Sequence, residues 1–347
     1  MEFQRKCKDK RFGLSYMGSK SRFWRWLLQR MPACGTFYDL FAGGCSVGHM
    51  MGHFGRCEKV VFNDVNAMPL KLFSMAISGQ LPPPAWMGSE EFRERNKAGD
   101  PLSLLFSFGA NGRTYFCSNS VEPWQKELFH AEITGDYSFL SDIYRKYDVR
   151  GMPRVWGRKH PELLNAAAKA FAPEGVAWRN KAYTTLCGSF PLKKRERLSR
   201  FDESPINLPI EFRNVDYRVA AEDAGEDDII YADPPYANKS GYGVRFDNAE
   251  FWQWCRRPRR ALLIISEYSA PSDFIEIWAK QVTCAMSQNG EVGRPIERLF
   301  VHESQETLYW DMYGMPLLPL KFNDQHEEWR TSNTSRFFLS NFVNKNK

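Results

Sequence analysis

Read for the spacing of its apolar positions, the chain alternates amphipathic stretches with short apolar runs that end in acids. Phe23, Trp24, Leu27, Leu28 and Met31 recur at helical intervals up to Pro32, so a helix is predicted there. Thr36-Phe37-Tyr38-Asp39-Leu40-Phe41 predicts a strand. It runs into the turn Ala42-Gly43-Gly44-Cys45-Ser46-Val47-Gly48 and a helix through Met50 and Met51. A second strand, Lys59-Val60-Val61-Phe62, ends in Asn63-Asp64-Val65-Asn66. From about Pro69 to Pro205 the pattern changes to aromatic and basic residues punctuated by Pro82-Pro83-Pro84, Gly109-Ala110-Asn111-Gly112, Gly151-Met152-Pro153 and Ala172-Pro173-Glu174-Gly175. This span predicts an inserted, partly helical domain with a hairpin near Tyr115 and Phe116. Strands resume at Ile210 to Asp216 and at Asp228-Ile229-Ile230-Tyr231-Ala232, the latter stopped abruptly by Asp233-Pro234-Pro235-Tyr236. A polar, glycine-bearing loop from Ala237 to Asp247, a helix from Glu250 to Arg257 and a strand Ala261-Leu262-Leu263-Ile264-Ile265-Ser266 follow. Strand-like runs near Gln281 to Met286 and Arg298 to His302 close the pattern.

Strand, glycine-rich turn, helix and strand in that order open a nucleotide-binding α/β unit, so the fold class is α/β with a Rossmann-like sheet interrupted by the insert. The expected division is residues 1–68 and 206–320 for the sheet domain, 69–205 for the insert and 321–347 for a tail. Asp64 stands 20 residues after Gly44, a spacing suited to a carboxylate on ribose hydroxyls. The G-x-G-x-x-G fingerprint is absent, which argues against a dinucleotide and for an adenosyl ligand with no pyrophosphate. Tyr16-Met17-Gly18-Ser19-Lys20 enters the first helix, where a glycine turn with a lysine can hold a carboxylate-bearing ligand. At the other end of the unit, proline has no backbone donor, so the Pro234 carbonyl and the Asp233 carboxylate stand side by side as acceptors. Two acceptors beside the Tyr236 ring suit a planar base with an exocyclic amino group. Asp233 and the Pro234 carbonyl each hold one amino hydrogen, and Tyr236 stacks on the ring.

Composition narrows the partners. At 43% hydrophobic residues the chain is globular in type, and no apolar run approaches the ~18 residues of a membrane span. The amino terminus, with Arg5, Lys6, Lys8, Lys10 and Arg11, lacks a secretory segment, so a cytoplasmic location is expected. The eight cysteines contain no C-x-x-C pair and the six histidines are unclustered, so neither a metal nor a disulfide framework is expected. A net charge of +6 is mild, yet Lys193, Lys194, Arg195, Arg197 and Arg200 form one cluster and Arg256, Arg257, Arg259 and Arg260 another. With Arg113, Tyr115, Trp124, Trp156, Arg158, Trp178 and Arg179, the insert interleaves cations with aromatics as phosphate contact and base stacking require. A core role for the tryptophans and a solvated face for the charges are the competing readings.

These pieces in this order resemble the Dam-type family of DNA adenine methyltransferases, whose target-recognition domain is inserted ahead of the DPPY motif. The resemblance runs from about Tyr16 to Asn66 and from about Phe212 to Phe300. It implies S-adenosylmethionine as cofactor, contacted by Tyr16, Lys20, Phe41, Gly43, Asp64 and Asp216, with Asp216 near the adenine of the cofactor. Asp233, Pro234, Pro235 and Tyr236 are the implied catalytic motif. The family's F-x-G-x-G turn is matched at Phe41 and Gly43 but carries Cys45 at the second glycine, and Glu297-Arg298-Leu299-Phe300 resembles its closing strand. The implied reaction is methyl transfer to the N6 amino nitrogen of a flipped adenine in duplex DNA, with Arg113 and the Lys193 to Arg200 cluster as DNA contacts. A restriction endonuclease partner is compatible with this and not required. The alternatives are an amino-methyltransferase acting on cytosine N4 or on RNA, and an inactive DNA-binding protein of the same fold.

Overall fold

A computed structural model describes residues 12–16, 18–119, 121–136, 138, 189–235, 246–281 and 296–314. All of these fall in the first of two units, Met1–Gly314; the second, Met315–Lys347, lies outside the described residues. The framework is a seven-stranded sheet. Its strands are β1 (Cys34–Asp39), β2 (Cys57–Asn63), β3 (Ile210–Arg213), β4 (Ile229–Ala232), β5 (Leu262–Glu267), β6 (Phe274–Gln281) and β7 (Ile296–His302), in the order β3-β2-β1-β4-β5-β7-β6. The five strands from β3 to β5 are mutually parallel, while β7 runs antiparallel to both β5 and β6.

Central strands are buried on both faces, which is why β4 and β5 read as unbroken apolar runs. Alternate residues feed two cores. Phe37, Phe62, Ile229, Tyr231, Leu262 and Ile264 face one side, and Tyr38, Leu40, Val61, Ile230, Leu263 and Ile265 face the other. On the first side lie α1 (Trp24–Arg30), α2 (Ser46–His53) and α3 (Ala67–Ile77), contributing Trp24, Leu27, Met50 and Phe73. The second is covered by α4 of the closing half (Asn248–Cys255) through Phe251 and Trp254.

Within the insert, helices Ser89–Lys97, Glu122–Thr134 and Phe190–Ser199 surround an aromatic core in which Trp86 packs on Phe106, Phe116 and Phe129. This gives Trp86 a core role. Trp156, Arg158, Trp178 and Arg179 lie outside the described residues. The hairpin expected near Tyr115 is reduced to an isolated antiparallel bridge, Ser107 to Tyr115, between turns.

One strand moves relative to the expectation. The run placed at Gln281 to Met286 is preceded by β6 at Phe274–Gln281, and 282–286 lie outside the described residues. An edge strand exposes part of its length, and β6 also carries a register shift between Glu276 and Trp278, so its apolar positions keep no strict period of two.

Candidate active site

Strand order reverses between β1 and β4, and open parallel sheets bind ligands at that switch, outside the carboxyl ends of the strands. Register brings the chemistry there. Asp39 pairs with Phe62 on one side and Tyr231 on the other, so the residues following β1, β2 and β4 emerge side by side. Tyr16, Lys20, Phe41, Gly43, Asp64, Asp216, Asp233 and Pro235 all line one cleft of about 280 Å³.

The glycine turn is built by backbone strain and close contact. Gly43 has φ +45°, and a Cβ there would stand 3.1 Å from the Tyr16 ring; one on Gly44 would stand 2.6 Å from Tyr16 Cβ. Missing side chains therefore let Tyr16 lie against the turn. Cys45, at the second glycine of the family pattern, adopts φ 60°, the left-handed backbone that glycine adopts without steric cost. Its side chain is fully buried.

Asp64 is tied to the same turn. Its two carboxylate oxygens accept from the Gly43 and Asn66 amides, each at 2.8 Å. Burial pushes its pKa up and those two amides pull it back. A carboxylate has about four lone-pair positions, so acceptor capacity for ribose hydroxyls remains. Asp216 sits in the turn after β3, exposed, with both oxygens on Arg218. Next to it, Tyr217 packs on Phe41 at 5.2 Å between ring centroids, giving this end of the cleft an aromatic wall.

The cleft is also lined by Asp39 and Tyr231, which the sequence did not single out as site residues. Asp39 is buried and accepts from the Gly48 amide at 2.9 Å. Burial pushes its carboxyl up to about 7 despite that amide, and Asp233 and Asp64 add to the shift. Tyr231 is likewise buried; burial, and then the Asp233 charge, raise its phenol well above the ordinary range. Lys20, in a short turn capped by Ser19, reaches Asp233 Oδ1 at 3.0 Å and Glu297 Oε2 at 3.2 Å. Burial opposes its charge, but the two carboxylates outweigh that and hold its pKa above the ordinary lysine value. Lys20 thus joins the Tyr16 side of the cleft to Asp233. Asp39 could have been noticed as an acid immediately before a glycine turn; no local signal pairs Glu297 with Lys20, 277 residues away.

Residues 16–94 match the family model for D12 class N6 adenine-specific DNA methyltransferases. Over that span, under a quarter of the chain, the likeness is to adenine-N6 DNA methyltransferases. That assignment makes the chain an enzyme acting on DNA with S-adenosylmethionine as methyl donor, in agreement with the sheet order and the motifs at its carboxyl edge. No curated protein matches the chain significantly. The cleft fits this donor: Asp64 offers a carboxylate for ribose, the bare glycines leave room beside Tyr16, and the aromatic wall at Phe41 suits a purine.

Tyr236 lies outside the described residues, as do 237–245 of the loop after it. Among the expected DNA contacts, Lys194 requires correction. It is buried, its ammonium donates to the carbonyls of Leu104 (3.0 Å) and Ser107, and it sits 4.8 Å from the Phe190 ring. Burial, with Arg197 nearby, pulls its pKa down to about 7. An ammonium enclosed by the insert cannot meet a phosphate, because the apolar side of its own helix faces inward. Arg195 donates to the Pro82 carbonyl and Arg197 to Ser15, so both brace neighbouring segments. Arg113 and Arg200 are exposed, Arg200 paired with Glu196, and Lys193 is half-buried. Among the described residues, no helix is long and apolar enough to cross a membrane.

Proposed function

We propose that the cleft holds S-adenosylmethionine through Tyr16, Gly43, Asp64 and Asp216 and presents it to an adenine flipped out of duplex DNA against Asp233, Pro234, Pro235 and Tyr236. The observation that carries this reading is the convergence of Asp64, Gly43 and Asp233, far apart in the chain, on one cavity at the switch point of the sheet.

When bound, S-adenosylmethionine supplies a methyl carbon on a sulfonium that departs with the C–S bonding pair. Asp233 accepts one amino hydrogen of the base and the Pro234 carbonyl the other, which directs the nitrogen lone pair at the incoming carbon. The Asp233 carboxylate is also the first acceptor for the proton that the methylated nitrogen sheds. Much of the rate then comes from placement, since aligned reactants avoid the entropic cost of encounter. Extrusion of the base costs a few kcal/mol of stacking and pairing, which Tyr236 and phosphate contacts offset. Residues 1–68 and 206–320 form the catalytic part and 69–205 the target-recognition part in this reading.

Incubation of the full chain with labelled S-adenosylmethionine and DNA, followed by mass analysis of nucleosides, should reveal N6-methyladenine. N4-methylcytosine, or label in RNA alone, would overturn the choice of acceptor. Asp233→Ala should reduce turnover by several orders of magnitude while calorimetry still detects cofactor binding. A variant as active as the wild type would remove Asp233 from the chemistry.

A further inference from the structure

The ion pair beneath Asp233 has a third member that the mechanism above leaves unused. Lys20 stands between Asp233 Oδ1 at 3.0 Å and Glu297 Oε2 at 3.2 Å, and the Lys20 and Glu297 side chains are only 5% and 9% exposed. The three come from separate parts of the fold: the turn entering α1, the end of β4, and the first residues of β7. Burial of a charged carboxylate at Glu297 is unfavourable unless it is compensated, and the Lys20 ammonium that also faces Asp233 supplies compensation. One ammonium between two carboxylates leaves these three groups with a formal charge of −1. With Lys20 alone, Asp233 would be half of an electrically neutral pair and a weaker acceptor for an amino hydrogen. A second carboxylate drawing on the same ammonium restores acceptor strength and holds Lys20 from the opposite side.

We propose that Glu297 is a positioning residue for methyl transfer: it fixes Lys20 against Asp233 and offsets the lysine charge, so that Asp233 is held in place while remaining a strong acceptor. The inference rests on the assignment of Asp233 as the acceptor for the amino group. It concerns the charge of Glu297, which Glu297→Gln removes while keeping the shape and an oxygen that accepts from Lys20.

The test is a double-mutant cycle on the full chain with S-adenosylmethionine and a DNA duplex that the wild type methylates. Glu297→Gln should slow the single-turnover rate by about ten-fold or more, with the Kd values for cofactor and DNA changed by less than about two-fold. In a Lys20→Met background the same Glu297→Gln change should alter the remaining rate by less than about two-fold, because the charge it offsets is gone. Three results would overturn the inference: a Glu297→Gln variant as fast as the wild type, an equal loss in both backgrounds, or loss of cofactor binding, which would make Glu297 part of the scaffold. A wild type that transfers no methyl group to DNA overturns the functional reading along with it. An active wild type beside an equally active Glu297→Gln variant overturns this inference alone.

Discussion

Two acids close to the cleft differ in what surrounds them, and the differences set their behaviour. Asp64 is partly buried at the cleft and already organised by the Gly43 and Asn66 amides. Asp64→Ala should weaken S-adenosylmethionine binding by about 1.5–3 kcal/mol, the scale of removing hydrogen bonds to a charged group. Unchanged affinity by calorimetry would place the ribose elsewhere. Asp39 is buried with its carboxyl pushed up to about 7. A carboxyl whose folded pKa lies above its unfolded value binds its proton more tightly in the folded state. Its contribution is therefore fully present below about pH 4 and is lost as pH rises toward 7, with a slope of at most about 1.4 kcal/mol per pH unit. Asp39→Asn keeps an acceptor for the Gly48 amide and removes the titration. Melting temperatures of the two proteins should therefore converge, or cross in favour of the variant, between about pH 4 and pH 7. Parallel curves over that range would show that Asp39 is ionised throughout.

Among the elements, the helix Phe190–Ser199 shows how one run of cations divides its work. Lys194 lies on the buried side, where it satisfies two carbonyls of the segment 104–107; Lys193, one residue earlier, is turned away from that contact. Lys194→Ala removes the charged donor that ties its helix to the Leu104 and Ser107 carbonyls, each of which keeps a backbone donor, and should destabilise the fold by roughly 1–3 kcal/mol. Lys193→Ala leaves both of those bonds in place and should cost less than Lys194→Ala. Denaturant unfolding of the two variants measures both, and equal midpoints would mean that Lys194 is not the brace described. The turn from β1 into α2 divides in a similar way: Gly43 and Gly44 give room to Tyr16, while Cys45 holds a left-handed backbone at a cost of about 1–3 kcal/mol and fills a buried space.

For the whole molecule, the proposed DNA binding depends on which cations reach solvent. Lys194 is enclosed and Arg195 and Arg197 brace the chain, whereas Arg113 and Arg200 are exposed, Arg200 in an ion pair with Glu196, and Lys193 is half-buried; we propose these three as the phosphate contacts. Neutralising all three should weaken binding to every sequence alike and flatten the log-log salt dependence by about 0.9 for each phosphate that is no longer neutralised. Sequence preference and cofactor affinity should persist, because interactions with phosphates position a protein while those with base edges select the site. A salt series on wild type and triple variant decides, and superimposable lines would put the DNA on another surface.

The sequence by itself determined the elements of the sheet domain other than β6, and the candidate chemical groups at their ends. An apolar run stopped by Asp233-Pro234-Pro235, a glycine turn after Phe41 and an acid after β2 are signals within a few residues, and local steric and hydrogen-bonding rules are enough to read them. A Rossmann-like sheet joining them also followed from the order in which they occur. Tertiary structure alone decided which side chains meet. Lys20, Asp233 and Glu297 converge because β4, β5 and β7 are neighbours in the sheet and the turn before α1 approaches their ends. In the same way, a cluster of five cations looks uniform along the chain, yet burial separates Lys194 from Lys193 and Arg200. Periodicity identifies the faces of an element. The charge and solvent that each face meets come from segments distant in sequence, and those set the pKa values and partners on which the proposed chemistry depends.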